Sequence, residues 1–295
     1  MINFAISHDG TKWFAKPNGE AQFYVGTTHT YKGQVGLQNW AATSNVIFKA
    51  DNWAGVFGHW AYAIEPTAMA ESNGNFNTIN TYDRALFTFG FGQFAAHVPE
   101  GDFVQFLRAL IAQDNARLMD YFPDLSLQNG KISQKVGSAF VNLEQVSDSK
   151  TKALMRYFNP SSQAIEDREV QNCARMMHWC MKSQKHRSLQ VQYMISTAKT
   201  LVAKVHGWSS LNKRTDKVCL AAMDILHQGR GSKSSIVQAL TEKNDNLAFD
   251  RLLHIGASSY PERIQTIRAT VQKLEAQNKL NNAIYDGATG KFVPR

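Results

Sequence analysis

Cysteine is scarce: Cys173, Cys180 and Cys219 are the only three in 295 residues. So small and odd a number in a long chain excludes a disulfide framework and points to synthesis in a reducing compartment. Long apolar runs are missing too. No window reaches the roughly 18 apolar residues of a membrane span, and residues 1–10 lack the basic segment and apolar stretch of an export signal. The expectation is a soluble protein made in the cytoplasm, without membrane insertion. There is no internal repeat, heptad run or low-complexity tract. Gly90 and Gly92 do not complete a dinucleotide or phosphate loop. Cys173, His178 and Cys180 are metal-ligand types, but their spacing matches no standard zinc pattern, so core cysteines are expected and no metal is assigned. Residues 150–214 are basic without aromatic interleaving or a helix-turn-helix, which argues against a nucleic-acid partner.

What is present is enough to build a core: 43% of the residues are hydrophobic and 11% aromatic, in a chain long enough for one large domain or two small ones. The formal charge is +8 and unevenly placed, because residues 1–125 carry a balance of −4 and residues 126–295 one of +12. A basic surface favours anionic polymers, although a solvated surface accounts for a moderate excess equally well.

Residues 1–50 read as an irregular segment of loops and short strands, with runs such as Gln22-Phe23-Tyr24-Val25 between glycines. From Asn52 a helical pattern places Val56, Trp60, Ala63 and Ile64 on one face. Pro66 then calls for a break or a fresh helix start, and Ser72-Asn73-Gly74 stops the helix after Glu71. Residues 75–93 are β-branched and aromatic and read as a small sheet or hairpin. Beyond Pro99 everything reads as helical. Asp102 is placed to cap a helix with Phe103, Phe106, Leu107, Leu110 and Ile111 on its apolar face. Further stripes follow at Val170, Ala174, Met177 and Met181, at Met194, Ala198, Leu201, Val202 and Val205, and at Val218, Ala222 and Ile225 before Gly229. Ser259 with Glu262 predicts a capping box ahead of Ile264, Ile267, Val271 and Leu274. Residues 281–295 read as a loose tail. The expected fold class is mainly α with a small β insertion, that is, α+β.

The β insertion is flanked by carboxylates. Glu71 ends a helix in Ala70-Glu71-Ser72-Asn73-Gly74, where shielding by neighbours such as Phe76 would raise its pKa, as a general acid needs. Asp83 follows twelve residues later, in Tyr82-Asp83-Arg84-Ala85-Leu86-Phe87-Thr88-Phe89-Gly90-Phe91-Gly92-Gln93. Paired carboxyl groups across a scissile bond are the usual device of glycoside hydrolysis. The ordinary alternatives are a solvated helix-end charge for Glu71, and for Asp83 a salt bridge with Arg84 or a turn cap.

These residues resemble the active-site core of the lysozyme-like superfamily: a helix-terminal Glu-Ser, a short β segment with an Asp, then Thr-Phe-Gly-Phe-Gly-Gln. Within it, Asp83 to Gly90 is similar to the Asp-Gly-Arg-Gly-Tyr-Thr-x-Gly of the chitosanase branch. The nearest wording is that of the C-terminal muramidase extension of some type VI secretion spike proteins, and of related phage or effector muramidases. Ala221-Ala222-Met223-Asp224-Ile225-Leu226-His227-Gln228-Gly229 also looks like a chitosanase-branch helix. The resemblance covers about residues 53–100 well, 210–275 less well and 1–45 not at all. It implies two helical lobes around a substrate cleft, with residues 51–280 as the catalytic domain, 53–100 as its active-site core and 101–280 as its helical lobe. It implies Glu71 as general acid, Asp83 as second carboxylate, Thr88 as the hydroxyl holding the water or that carboxylate, and Asn80, Tyr82 and Gln93 as substrate-binding groups. Ala85 replaces a glycine of the chitosanase motif, and the Glu-to-Asp interval is shorter than in that branch. No cofactor is needed.

The activity so implied is cleavage of the β-1,4 glycan strand of peptidoglycan. A lytic transglycosylase follows if Glu71 acts alone, and a chitosanase-like hydrolase is another alternative, although a chain of +8 would repel polycationic chitosan. From another class comes a non-catalytic basic module that binds cell wall or nucleic acid. Delivery to the periplasm by a secretion system, phage tail or holin is implied, with an immunity protein inserting at Glu71 if the chain is an antibacterial effector. Trp13 and Trp40 are candidates for a cleft rim, Trp53 and Trp60 for the core. His97 is expected to close a helix end. Asp224 and His227 stand three apart, either as an orienting pair or as a satisfied core pair.

Overall fold

The glycines that make the N-terminal segment look irregular are hairpin turns between regular strands. The computed structural model describes residues 1–40 and 46–295, and β1 (Phe4–Asp9), β2 (Lys12–Pro17), β3 (Phe23–Tyr31) and β4 (Gln34–Asn39) form an antiparallel meander there. Residues 41–45, which the irregular reading also covered, lie outside the described residues. The last turn shows the cause. Tyr31 pairs with Gln34 across Lys32-Gly33, whose φ values of 50° and 78° match the mirror-image turns that suit strand twist.

Next come α1 (Ala54–Phe57) and α2 (Trp60–Ser72), and α2 runs unbroken through Pro66. Proline removes one backbone donor. The buried face of Trp60, Ala63, Ile64, Thr67 and Ala68 holds the helix together across that gap. Val56 is exposed and belongs to the separate short α1. The expected small sheet is present as β5 (Ile79–Asn80), β6 (Thr88–Phe89) and β7 (Phe94–Ala95), but these strands are the end of a seven-stranded sheet in the order β1 to β7, antiparallel throughout.

After Pro99 the chain is not wholly helical. Between α3 (Asp102–Gln113) and α4 (Asn115–Tyr121) on one side and α5 (Lys152–Phe158) on the other lies a second sheet of β8 (Leu125–Gln128), β9 (Lys131–Val136) and β10 (Ala139–Asn142). Helices α6 (Asp167–Lys182), α7 (Gln184–Trp208), α8 (Asp216–Gln228), α9 (Lys233–Leu240), α10 (Asp245–His254) and α11 (Pro261–Ala276) follow. The tail read as loose closes as a hairpin of β11 (Ala283–Asp286) and β12 (Lys291–Pro294). The apolar stripe of α3 is buried as expected, with Asp102 as its first residue and Gly101 at the cap position. The capping box does not form at Ser259. Pro261 takes the first position of α11, where a missing N–H costs nothing. A reciprocal box of Ser232 and Ser235 caps α9 instead.

The fold is thus mixed, with helices and antiparallel sheets, an α+β arrangement richer in strand than the sequence suggests. It divides into two compact units, residues 1–47 with 75–193 and residues 48–74 with 194–295. The boundaries at 51, 101 and 281 are not those of the units. In the first unit Phe87, Phe103, Phe122 and Phe158 form a buried aromatic core, with Phe87 and Phe158 stacked at 4.4 Å between ring centres. In the second, α2 packs on α8 and α11, and Ile64, Ala68, Ile225, Ile267 and Val271 of these helices are buried. Among the described residues no helix is long and apolar enough to cross a membrane.

Candidate functional site

Glu71 is the penultimate residue of α2. Asn73, in the left-handed region at φ 53°, ends the helix and donates its N–H to the Met69 carbonyl at 3.0 Å, while Gly74 donates to Ala68 at 3.1 Å. Ser-Asn-Gly therefore stops the helix as its composition predicts. Thr67 and Glu71 are one turn apart on α2 and share a face. Within the same unit α8 supplies Asp224 and His227, and α11 supplies Arg263. Gly229 closes α8 at φ 72°, a conformation that glycine enters without strain, and Arg230 turns back to donate its N–H to Ile225 at 3.1 Å.

Arg263 joins the two acids of this cluster. Its Nε and Nη2 engage both oxygens of Asp224 at 3.2 and 2.6 Å, and its Nη1 lies 2.8 Å from Glu71 Oε1. A planar guanidinium can serve two carboxylates at once because its donors point along different edges. Asp224 also accepts from Arg230 Nη2 at 3.1 Å and from Thr67 Oγ1 at 3.0 Å. His227 Nε2 stands 3.4 Å from Glu71 Oε1. Asp224 is fully buried, whereas the Glu71 side chain keeps 13% of its surface exposed.

The electrostatics correct the expected direction for Glu71. Burial pushes its carboxyl up, but the His227 hydrogen bond and the charges of His227 and Arg263 outweigh burial and hold it below the usual carboxylate value. The effect is mutual. Burial pulls His227 down, yet Glu71 and the charge of Asp224 hold it above 6.5. Two carboxylates and two guanidiniums balance, so the protonation of His227 sets the charge of the whole cluster.

The other candidates belong to the first unit. Asn80 of β5 faces Thr88 of β6 in register, and Asn80 Nδ2 donates to Asp83 Oδ2 at 3.1 Å. Asp83 Oδ1 accepts the Ala85 N–H at 2.8 Å, so Asp83 caps its own turn. Among the described residues it forms no ion pair with Arg84. The Tyr82 ring lies 4.2 Å from that of His29 and 6.4 Å from that of Tyr31, and its hydroxyl accepts from Gln38 Nε2 at 3.3 Å. Tyr31 and Trp40 are exposed, giving this edge an aromatic face. Asn80, Tyr82, Asp83 and Thr88 thus come together. Gln93 is committed elsewhere: its Nε2 donates to Gly90 within its own turn at 3.0 Å. Trp13 is half-buried and donates to Thr28, and Trp53 and Trp60 are buried as expected. Cys173 and Cys180 are buried, and His178 contacts Tyr121 and Glu20 instead.

Behind this edge lies a buried acid absent from the sequence reading. Thr81 Oγ1 donates to Glu169 Oε1 at 2.5 Å, and desolvation pushes Glu169 up to about 7. Because the folded value lies above the ordinary 4.5, this group supports the fold fully below pH 4.5, and the support is lost as pH rises through about 7. The interval corresponds to roughly 3 kcal/mol. Glu169→Gln, which keeps the acceptor, is therefore expected to narrow the stability difference between pH 4.5 and pH 8 by about that amount in urea unfolding.

Arg263 and Arg230 were not singled out from the sequence. The signal for Arg263 was present: it sits one turn before Ile267, on the apolar face of α11, where a charge needs a partner. The partner, Asp224, is 39 positions away and no local rule links the two. Comparison with known proteins gives no match to a family model, a curated protein or a solved structure.

Proposed function

We propose that the chain is a lysozyme-like glycoside hydrolase that cleaves the glycan strand of bacterial peptidoglycan, with Glu71 as general acid. The observation that carries the reading is the Glu71 centre: a partly exposed carboxylate at a helix end, sharing one oxygen with a guanidinium and an imidazole. The resemblance of residues 53–100 to muramidases supports it further.

In the free protein Glu71 is ionised, so the proton must come from its neighbour. His227 holds that proton beside Glu71 Oε1. When a glycan covers the site and excludes water, the ion pair is desolvated and the proton moves from His227 to Glu71. Glu71 then protonates the glycosidic oxygen as its bond to the anomeric carbon breaks, leaving an oxocarbenium-like sugar. Arg263 is a positioning residue, anchored by Asp224, which Arg230 also holds. Water capture of the sugar gives a reducing end, and intramolecular capture by the muramic acid hydroxyl gives an anhydro end.

The alkaline limb of the pH profile is then set by the His227 proton. The wild type is expected to lose rate as pH rises above 6.5, and His227→Gln to lower the rate at neutral pH and to remove that limb, as measured by release of soluble fragments between pH 5 and 9. The direct test of the reading is incubation of purified sacculi with the wild-type protein. Soluble muropeptides are expected, and intact sacculi after prolonged incubation would reject it.

A second reading has its own observation. Glu71 is ion-paired and Asp83 caps its own turn, while Tyr31, Tyr82 and Trp40 offer aromatic faces on which sugars stack. A non-catalytic wall-binding module would pull down with sacculi and release nothing.

A further inference from the structure

The turn that follows Asp83 leads to a group of cations that the proposed chemistry does not use. In the first unit, Arg84, Lys150, Lys152 and Arg156 line a cavity of about 230 Å³ together with the polar side chains of Gln34 and Ser162, and no acidic residue lines it. Lys152 is ion-paired with Asp148 one turn away. Arg84, Lys150 and Arg156 have no carboxylate partner among the described residues. Three cations without an ion pair around one small cavity repel each other, with only the Asp148 carboxylate acting on Lys150 from a distance, an arrangement that an anion relieves.

The cavity is also built. Asp83 accepts the Ala85 N–H on its side chain at 2.8 Å and the Leu86 N–H on its carbonyl at 2.9 Å, and Leu86, which lines the cavity, is held at φ 55°. A leucine in the left-handed region carries a strain of order 1 kcal/mol, which tends to persist at functional sites. The turn fixes the backbone of Arg84, and α5 sets Lys152 and Arg156 on one face, one turn apart. Nearby His97 lies between β7 and α3 rather than closing a helix. Its Nδ1 is buried without a hydrogen-bond partner among the described residues, and burial and the charges of Arg84 and Lys150 keep the ring below its ordinary value. It therefore adds no cation of its own and leaves a buried polar atom beside the group.

We infer that this cavity is an oxyanion subsite for the carboxylates of the peptide stem attached to the glycan strand. Two guanidiniums suit the paired oxygens of a carboxylate, and the volume admits the end of a peptide. The identity of the anion rests on the peptidoglycan reading, whereas the existence of the site does not. A phosphate-bearing wall polymer shares the chemistry, so the experiment compares the two sources.

The probe is the soluble stem tripeptide L-alanyl-γ-D-glutamyl-diaminopimelate, titrated by calorimetry at low salt into the full wild-type chain and into Arg84→Gln/Arg156→Gln, with inorganic phosphate in a parallel arm. Both arginines are exposed, so the double variant should keep its circular dichroism spectrum and melting temperature. Saturable peptide binding is expected, weakened at least about tenfold in the double variant and by added salt. Absence of binding, equal binding by the double variant, or tighter binding of phosphate than of the peptide would overturn the inference. The titration contains no glycan, so its failure is separate from a failure to digest sacculi.

Discussion

Asp224→Ala is expected to lower the unfolding free energy by about 3–5 kcal/mol. Asp224 is fully buried and satisfies Arg263, Arg230 and Thr67 together. Removing it strands two guanidiniums inside the protein: among the described residues Arg263 keeps only Glu71, and Arg230 keeps only the Ile255 carbonyl. Losing one side of a buried pair costs far more than the pair contributes, because the remaining charge is uncompensated. Urea unfolding at neutral pH measures the difference, and a loss within the scatter of surface mutations would contradict the cluster as described.

The same cluster gives the pH dependence of stability a definite shape. Glu71 is depressed in the folded state, so its contribution is present at neutral pH and is lost as pH falls through its folded value. His227 is raised, so its contribution is complete below pH 6.5 and is lost as pH rises through its folded value. The cluster therefore holds the second unit most firmly in mildly acidic solution.

Glu71→Gln is expected to reduce the rate of glycan cleavage by roughly 10²–10⁴, the usual range for a positioned proton donor. The amide is isosteric, accepts from Arg263 and has no proton to give. Folding should survive, since Arg263 retains both oxygens of Asp224. The melting temperature is expected to fall by far less than in Asp224→Ala. A variant that melts near the wild type and still clears sacculi undiminished would remove Glu71 from the chemistry.

The features legible in the sequence were those set by local rules. The end of α2 at Ser-Asn-Gly and the apolar stripe of α3 follow from neighbouring residues alone. So does the gathering of Asn80, Tyr82, Asp83 and Thr88 on one edge, where short spacing and strand propensity suffice. Strands β1 to β4 were obscured because two-residue hairpin turns and disordered loops use the same glycines and polar residues. Pro66 misled because a proline rule describes isolated helices, whereas α2 is held by its packing on α8 and α11. The centre around Glu71 was half visible. Its carboxylate, Asp224 and His227 stand out in the sequence, but the pairing of Glu71 with His227 and Arg263, which reverses the direction of its pKa, joins three different elements that only the folded chain brings together.

The proposed role of Glu71 is to donate a proton to a glycosidic oxygen. Mass spectrometry of fragments released from purified sacculi by the wild type and by Glu71→Gln, with both proteins shown folded by circular dichroism, tests this most directly. Disaccharide muropeptides with new reducing or anhydro ends are expected from the wild type and none from the variant. Fragments of the same kind and amount from both proteins, or none from either, would contradict it.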